Sequence, residues 1–346
     1  MLKKIASKMY EFVCQPSVRR IFGILIFTSF SVLLYFQLKS GLDKFSAAEL
    51  SAFYRQNLNS GSIALLLIIL FLMPLNWLFE VFKWRVQMQS LEKICFGEAT
   101  KGVLAGLSVS LFTPNRIGEF GGKLFFVKPQ NRPAAFFATI MGSLSQWIVI
   151  VGFGLTGLSY LFVHKYGPKY FQDSAFYFIC FIGLLFSLAL LFYFRTAFIV
   201  SYLKKYAFFR KYFEKLSSNQ LINYSNSDLF LLILFSKLRY LIYAVQFYLL
   251  IFCFGFNPEI TVAFAAISLI FLLQTAVPMP ASLGLPARGS IAVFVFGWLT
   301  DVEDNQILAL QSGILMATFL LWIINVFIPA LFGMIFLSRA VSKKQD

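Results

Sequence analysis

Between Thr113 and Lys123 the chain reads Thr-Pro-Asn-Arg-Ile-Gly-Glu-Phe-Gly-Gly-Lys, flanked on both sides by apolar residues. Neither apolar arm is long enough to cross a bilayer alone. Arg116 and Glu119 are therefore set at membrane depth, where charged side chains mark a functional site by default. In hydrocarbon an unpaired backbone group costs several kcal/mol, so a break at Pro114 and Gly118 survives only where protein or enclosed water satisfies it. A second break lies at Pro278-Met-Pro-Ala-Ser-Leu-Gly-Leu-Pro-Ala-Arg-Gly289, with Pro278, Pro280, Gly284 and Pro286 at the turn and Arg288 beside them. Half-helices that start at such breaks turn free N–H groups toward the membrane midplane, where an anion is favoured. Lys237 and Arg239, inside a third apolar run, add positive charge at the same depth. The chemistry these residue types offer is recognition of an anionic or phosphate-bearing headgroup. Glu119 follows Arg116 by three residues, as a gating or proton-linked carboxylate or as a structural ion pair. Lys237 and Arg239 either join the site or snorkel toward the membrane surface. An ordinary loop between two poor helices is the plain alternative for the first break.

The rest of the chain must hold these residues inside a bilayer. Apolar residues make up 59% of its 346 positions, with 44 Phe, and mean hydropathy is +0.76, values that exclude a soluble domain and match a polytopic membrane protein. The net charge of +15 fits basic loops against anionic lipid, and no nucleic-acid partner is expected. Cys14, Cys95, Cys180 and Cys253 lack metal spacing, and His164 is the one histidine. No catalytic residue, metal or cofactor is expected from that inventory.

Apolar runs predict six full transmembrane helices, at Ile21–Leu38, Ile63–Phe82, Ala134–Phe162, Phe176–Phe194, Leu229–Phe254 and Ile307–Leu337. Residues 1–20 read as a cytoplasmic interfacial helix, and Arg19, Arg20 and the run after them as an uncleaved anchor rather than a signal peptide. Glu80 stands one turn before Lys83 and can pair with it; Pro74 and Asn76 can kink the same span. Two re-entrant hairpins are expected at about 101–128 and 260–300, and an amphipathic basic loop at 195–227. The single transmembrane domain is thus 21–338, with a cytoplasmic tail at 339–346. Of the 30 Lys and Arg, only Lys39, Lys44, Arg55, Lys165 and Lys169 fall in outer segments, with Arg116, Lys237, Arg239 and Arg288 at membrane depth. That asymmetry places both termini in the cytoplasm and the hairpins on opposite faces. The fold class is therefore an all-α polytopic membrane protein in an inverted-repeat-like arrangement, which points to a transporter site between the breaks.

Arg85 at the end of its span, Thr-Pro-Asn-Arg-Ile-Gly-Glu at 113–119, Ser-Lys-Leu-Arg-Tyr at 236–240 with Gln246, and the break at 278–289 together resemble the lysylphosphatidylglycerol synthase transmembrane region, the flippase-like domain family. The resemblance covers nearly the whole chain. Pro114, Arg116, Gly118 and Glu119 match the family's Pro-x-Arg-x-Gly-Glu pattern, whereas Gly284 and Pro286 stand where Glu and Gly are usual. It implies a bacterial-type inner-membrane protein that moves lipids between leaflets, with an anionic phospholipid or lipid-linked phosphate as partner. Some relatives add a soluble domain that transfers an aminoacyl group; with nine residues after Leu337, synthase activity is not expected. A membrane enzyme or accessory protein acting on phospholipid or polyprenyl-phosphate lipids is one alternative, and a non-transporting scaffold another. A homo-oligomer is left open. On this reading Arg116→Ala is expected to abolish lipid movement while membrane insertion persists, which flux in liposomes and a fractionation blot check together.

Overall fold

The computed structural model describes residues 60–111, 113, 117–166, 174–195, 224–276, 284–299 and 304–343. The helix expected at 1–20, the span Ile21–Leu38, Pro114, Arg116, residues 196–223 of the basic loop, Pro278, Pro280, Asp301, Glu303 and the end of the tail lie outside them. Among the described residues every regular element is helical. In chain order these are α1 (Ser60–Met88), α2 (Phe96–Ser110), α3 (Gly118–Leu124), a 3-10 turn at Pro129–Asn131, α4 (Arg132–Tyr166), α5 (Ser174–Phe194) and α6 (Asn226–Cys253). Then follow α7 (Ile260–Ala276), α8 (Gly284–Leu299), α9 (Asp304–Trp322), a π turn at Ile323–Phe327 and α10 (Ile328–Lys343). Three stretches are long and apolar enough to cross a bilayer, Gly61–Met88, Pro129–His164 and Gln311–Ala340, and shorter apolar helices cover Cys180–Phe194, Ile260–Ala276 and Ala287–Leu299.

The helices are turned inside out relative to those of a soluble protein. On α1 the exposed positions include Ile63, Leu67, Ile68, Leu70 and Phe71, while Asn76, Glu80, Lys83 and Gln87 are buried. These four stand at i, i+4, i+7 and i+11 and so line one helical face. Burying them requires partners, and α6 supplies Arg239 to both Asn76 and Glu80. Its start is fixed by a capping box in which Ser225 Oγ accepts from the Asp228 amide at 3.2 Å and Asp228 Oδ2 accepts from the Ser225 amide at 3.0 Å. Gln89 Nε2 donates to Asp228 Oδ1 at 2.5 Å and Tyr224 Oη to the Gln87 carbonyl at 3.0 Å, tying the end of α1 to the start of α6. At the far end Gln246 Nε2 donates to the Ile69 carbonyl at 2.8 Å. The two helices are therefore antiparallel.

Within both breaks a helix begins sooner than the Pro and Gly content suggests. α3 begins at Gly118 and α8 at Gly284, so Gly118, Gly121, Gly122 and Pro286 lie in helix rather than in a long turn. The reason is packing. A Cβ on Gly122 would sit 2.6 Å from the Ala105 carbonyl oxygen, and one on Gly118 would sit 2.5 Å from that of Val109, so these glycines let α3 cross α2 at backbone contact. Pro286 stands in the first turn of α8, where no intrahelical N–H is needed. The second hairpin is also joined across its break, Gln274 Nε2 donating to the Arg288 carbonyl at 3.4 Å.

Among the described residues, the two larger of three apolar clusters hold most of the bundle. One gathers Phe247, Leu250 and Ile251 of α6, Ala266, Ile267 and Ile270 of α7, Val295 and Phe296 of α8 and Ile314 and Ala317 of α9. The other joins Trp77, Val81 and Trp84 of α1 to Val103 and Leu107 of α2 and Ala330 and Met334 of α10. The last span, read from sequence as one helix, runs continuously but widens into the π turn. Pro329 explains it, because proline has no N–H for the Asn325 carbonyl four residues earlier and its ring crowds that carbonyl.

Gly122→Ala forces the α2–α3 crossing apart and is expected to cost about 1–3 kcal/mol. Gly121→Ala, whose Cβ would meet nothing within 4 Å, is expected to leave stability unchanged or slightly higher. Thermal unfolding of the two variants in detergent micelles reads the difference.

A buried charge cluster as candidate headgroup site

The polar face of α1 meets the first hairpin and α6 at Glu80, which is 2% exposed. Its Oε1 accepts from Lys123 Nζ of α3 at 2.8 Å, and its Oε2 lies 2.9 Å from Lys83 Nζ and is paired with the Arg239 guanidinium of α6. Lys123 Nζ also donates to Glu119 Oε1 at 2.7 Å. Arg239 Nε donates to Asn76 Oδ1 at 3.0 Å, and Asn325 Oδ1 of the π turn accepts from Asn76 Nδ2 at 3.2 Å. Two tryptophans complete the walls. Lys123 Nζ lies 5.2 Å from the Trp84 ring centre and Arg239 Cζ 5.3 Å from that of Trp77, both within cation–π range. The indole N–H groups of Trp77 and Trp84 are buried donors that make no hydrogen bond.

The electrostatic balance follows from this inventory. Among the described residues three cations face two carboxylates in surroundings where desolvation costs several kcal/mol per ion, so the local pairs are satisfied but these residues carry excess positive charge. Glu80, Lys83, Lys123 and Arg239 are nearly sealed, whereas the Glu119 side chain is 22% exposed. Glu119 thus stands at the edge of the cluster, next to the break between α2 and α3. Thr113 Oγ1 closes that break from within by accepting from the Gly118 amide at 2.6 Å.

Of the residues singled out by sequence, the structure brings Glu119 and Arg239 into one network, linked through Lys123 and Glu80. Lys237 is exposed on α6, in line with the snorkelling alternative. Arg288 is partly buried near the start of α8, and Arg116 lies outside the described residues. The pairing of Glu80 with Lys83 is as expected, but the local pair is a corner of a larger cluster. Lys83 and Lys123, counted by sequence among cytoplasmic charges, are 3% and 1% exposed. The topological count therefore includes two charges that serve the interior. Sequence reasoning also missed the part of Asn76, Trp77, Trp84 and Asn325. The i, i+4, i+7, i+11 spacing of Asn76, Glu80, Lys83 and Gln87 was the signal that could have found this face.

Removing one partner of a buried ion cluster leaves the others uncompensated. Glu80→Ala, which strands three cations, is expected to cost about 3–5 kcal/mol, seen as a lower unfolding temperature in micelles. Lys237→Ala, outside the cluster, is expected to shift stability by less than about 0.5 kcal/mol.

The comparisons with curated proteins and with solved structures each gave no match. The family described as the lysylphosphatidylglycerol synthase TM region matches residues 20–296, most of the chain. With its inverted helices and membrane-length apolar segments, this chain is a multi-pass membrane protein and belongs to the lysylphosphatidylglycerol synthase transmembrane-region family.

Proposed function

We propose that the protein is a lipid translocase that passes an anionic, phosphate-bearing headgroup through the cation-rich interior beside the first hairpin. The observation that carries this reading is the buried cluster of Lys83, Lys123 and Arg239 against Glu80 and Glu119, one positive charge in excess. A singly charged phosphodiester would neutralise that excess, and a guanidinium donates to phosphate oxygens in forked geometry. The unpartnered indole donors of Trp77 and Trp84 offer further hydrogen bonds in the same region. Glu119 is the exposed member through which a headgroup would first meet the cluster, and Arg116 in the adjoining break would add to its attraction. The apolar outer surface, with Phe71 and Leu67 more than half exposed, lets acyl chains stay in lipid while the headgroup moves. In this account the chain moves lipid without changing it chemically. It sits in a bacterial-type cytoplasmic membrane with both termini inside, as the distribution of basic residues supports.

The test is loss of the protected pool of fluorescent phosphatidylglycerol in liposomes holding the purified protein, with thin-layer chromatography of the lipid alongside. Wild type is expected to accelerate the loss with the lipid chemically unchanged. Arg239→Lys keeps the charge but loses the fork and the Asn76 contact, and is expected to slow it about tenfold or more. No acceleration with any anionic lipid would overturn the reading, and a chemically new product would favour an enzyme.

A further inference from the structure

The last helical stretch reaches the charge cluster through a directed pair of amides. Asn325 is fully buried in the π turn, beyond residue 296 where the family match ends. Its Nδ2 donates to the Leu321 carbonyl at 3.3 Å, which fixes which way the amide faces. Oδ1 is then the atom presented to Asn76, and it accepts from Asn76 Nδ2 at 3.2 Å. Asn76 in turn presents Oδ1 to Arg239 Nε at 3.0 Å. An amide has one donor end and one acceptor end, so turning either asparagine over would set N–H against N–H inside a buried core. The relay has one sense.

Its consequence falls on Arg239. The guanidinium is a rigid plane, and it is held at two points, Nε on Asn76 and a terminal nitrogen on Glu80. Those two points set where its remaining N–H groups aim. The anchor of the relay is itself held firmly. Pro329 imposes the π turn, Ser108 Oγ donates to the Ala330 carbonyl at 2.7 Å, and Gly333 brings α10 against Leu104 and Ser108 of α2. The same stretch therefore touches the first hairpin and the cluster.

We propose that Asn325 is a positioning residue for Arg239, acting through Asn76. The transport consequence rests on the translocation reading; the relay does not. The test is a double-mutant cycle in the full chain with Asn325→Leu and Asn76→Asp, read as unfolding temperature in micelles, with lipid flux in liposomes measured for Asn325→Leu. Asn325→Leu strands the Asn76 Nδ2 donor in the core, so Asn76 no longer holds Arg239 in place, and is expected to lower flux about tenfold to a hundredfold. A carboxylate at position 76 accepts from Arg239 with either oxygen and needs no orientation, but it also cancels the positive excess of the cluster, so that background is read by unfolding temperature, where Asn325→Leu is expected to cost less than about half of what it costs in the native background. Equal losses of unfolding temperature in both backgrounds would show that Asn325 only fills space and would overturn the proposal. If wild type moves no lipid, the translocation reading fails, and the unfolding cycle still decides the relay: non-additive shifts support it and additive shifts overturn it. Should Asn325→Leu fail to insert, Asn325→Ser takes its place with the same criteria.

Discussion

Glu80 is one carboxylate shared by three cations from three helices, and most of the described structure follows from satisfying it. An isolated carboxylate at that burial would be prohibitively desolvated, and any one of Lys83, Lys123 or Arg239 alone would face the same difficulty. Only their assembly makes the interior tolerable. That assembly dictates that α1 lie antiparallel to α6, so that Arg239 meets Glu80 and Asn76, and that the first hairpin fold back so that α3 delivers Lys123. The tryptophan faces of α1 add cation–π contacts to Lys123 and Arg239.

Packing explains how so short a helix as α3 can be placed so accurately. Its glycines remove the side chains that would hold α2 and α3 apart, and Thr113 satisfies the first amide after the break. The Gly118 amide at the start of α3 is thus satisfied inside the protein, as hydrocarbon requires. The same economy appears at the other end of the chain, where Pro329 prevents a regular helix and the resulting π turn sets Asn325 against Asn76. Irregular backbone and buried polar side chains therefore coincide, and they do so around a site with more positive than negative charge. A bundle built for stability alone would be served as well by apolar residues of similar volume. Retaining a charged interior that opens at Glu119 fits a path for an anionic guest.

Much of the fold was legible because hydrocarbon imposes strong rules. Runs of apolar residues marked the all-helical class and the three membrane-length stretches, and Pro, Gly and charge marked the places where α3 and α8 begin. The extent of the two breaks was misread. Gly118, Gly121 and Gly122 carry identical local signals whether they break a helix or pack one, and only the neighbouring α2 backbone decides. The site was half legible for a similar reason. Glu119 and Arg239 stood out as charges at depth, and both belong to the cluster. Lys83 and Lys123 follow apolar runs and so resembled interface residues; their burial depends on where α1, α3 and α6 meet. Asn325 gave no local sign beyond the proline four positions later, since its partner is 249 residues away in the chain.

The central claim is that a lipid headgroup enters the space between α1, α3 and α6. Photocrosslinking tests it most directly, with a diazirine placed on the headgroup of phosphatidylglycerol, the full chain in nanodiscs, and peptide mapping of the labelled sites. The account predicts label on the inner faces, near Trp77 to Trp84 of α1 and near Arg239 of α6, reduced by excess unlabelled phosphatidylglycerol. Label confined to lipid-facing positions such as Phe71 and Leu67, and indifferent to that competitor, would contradict it.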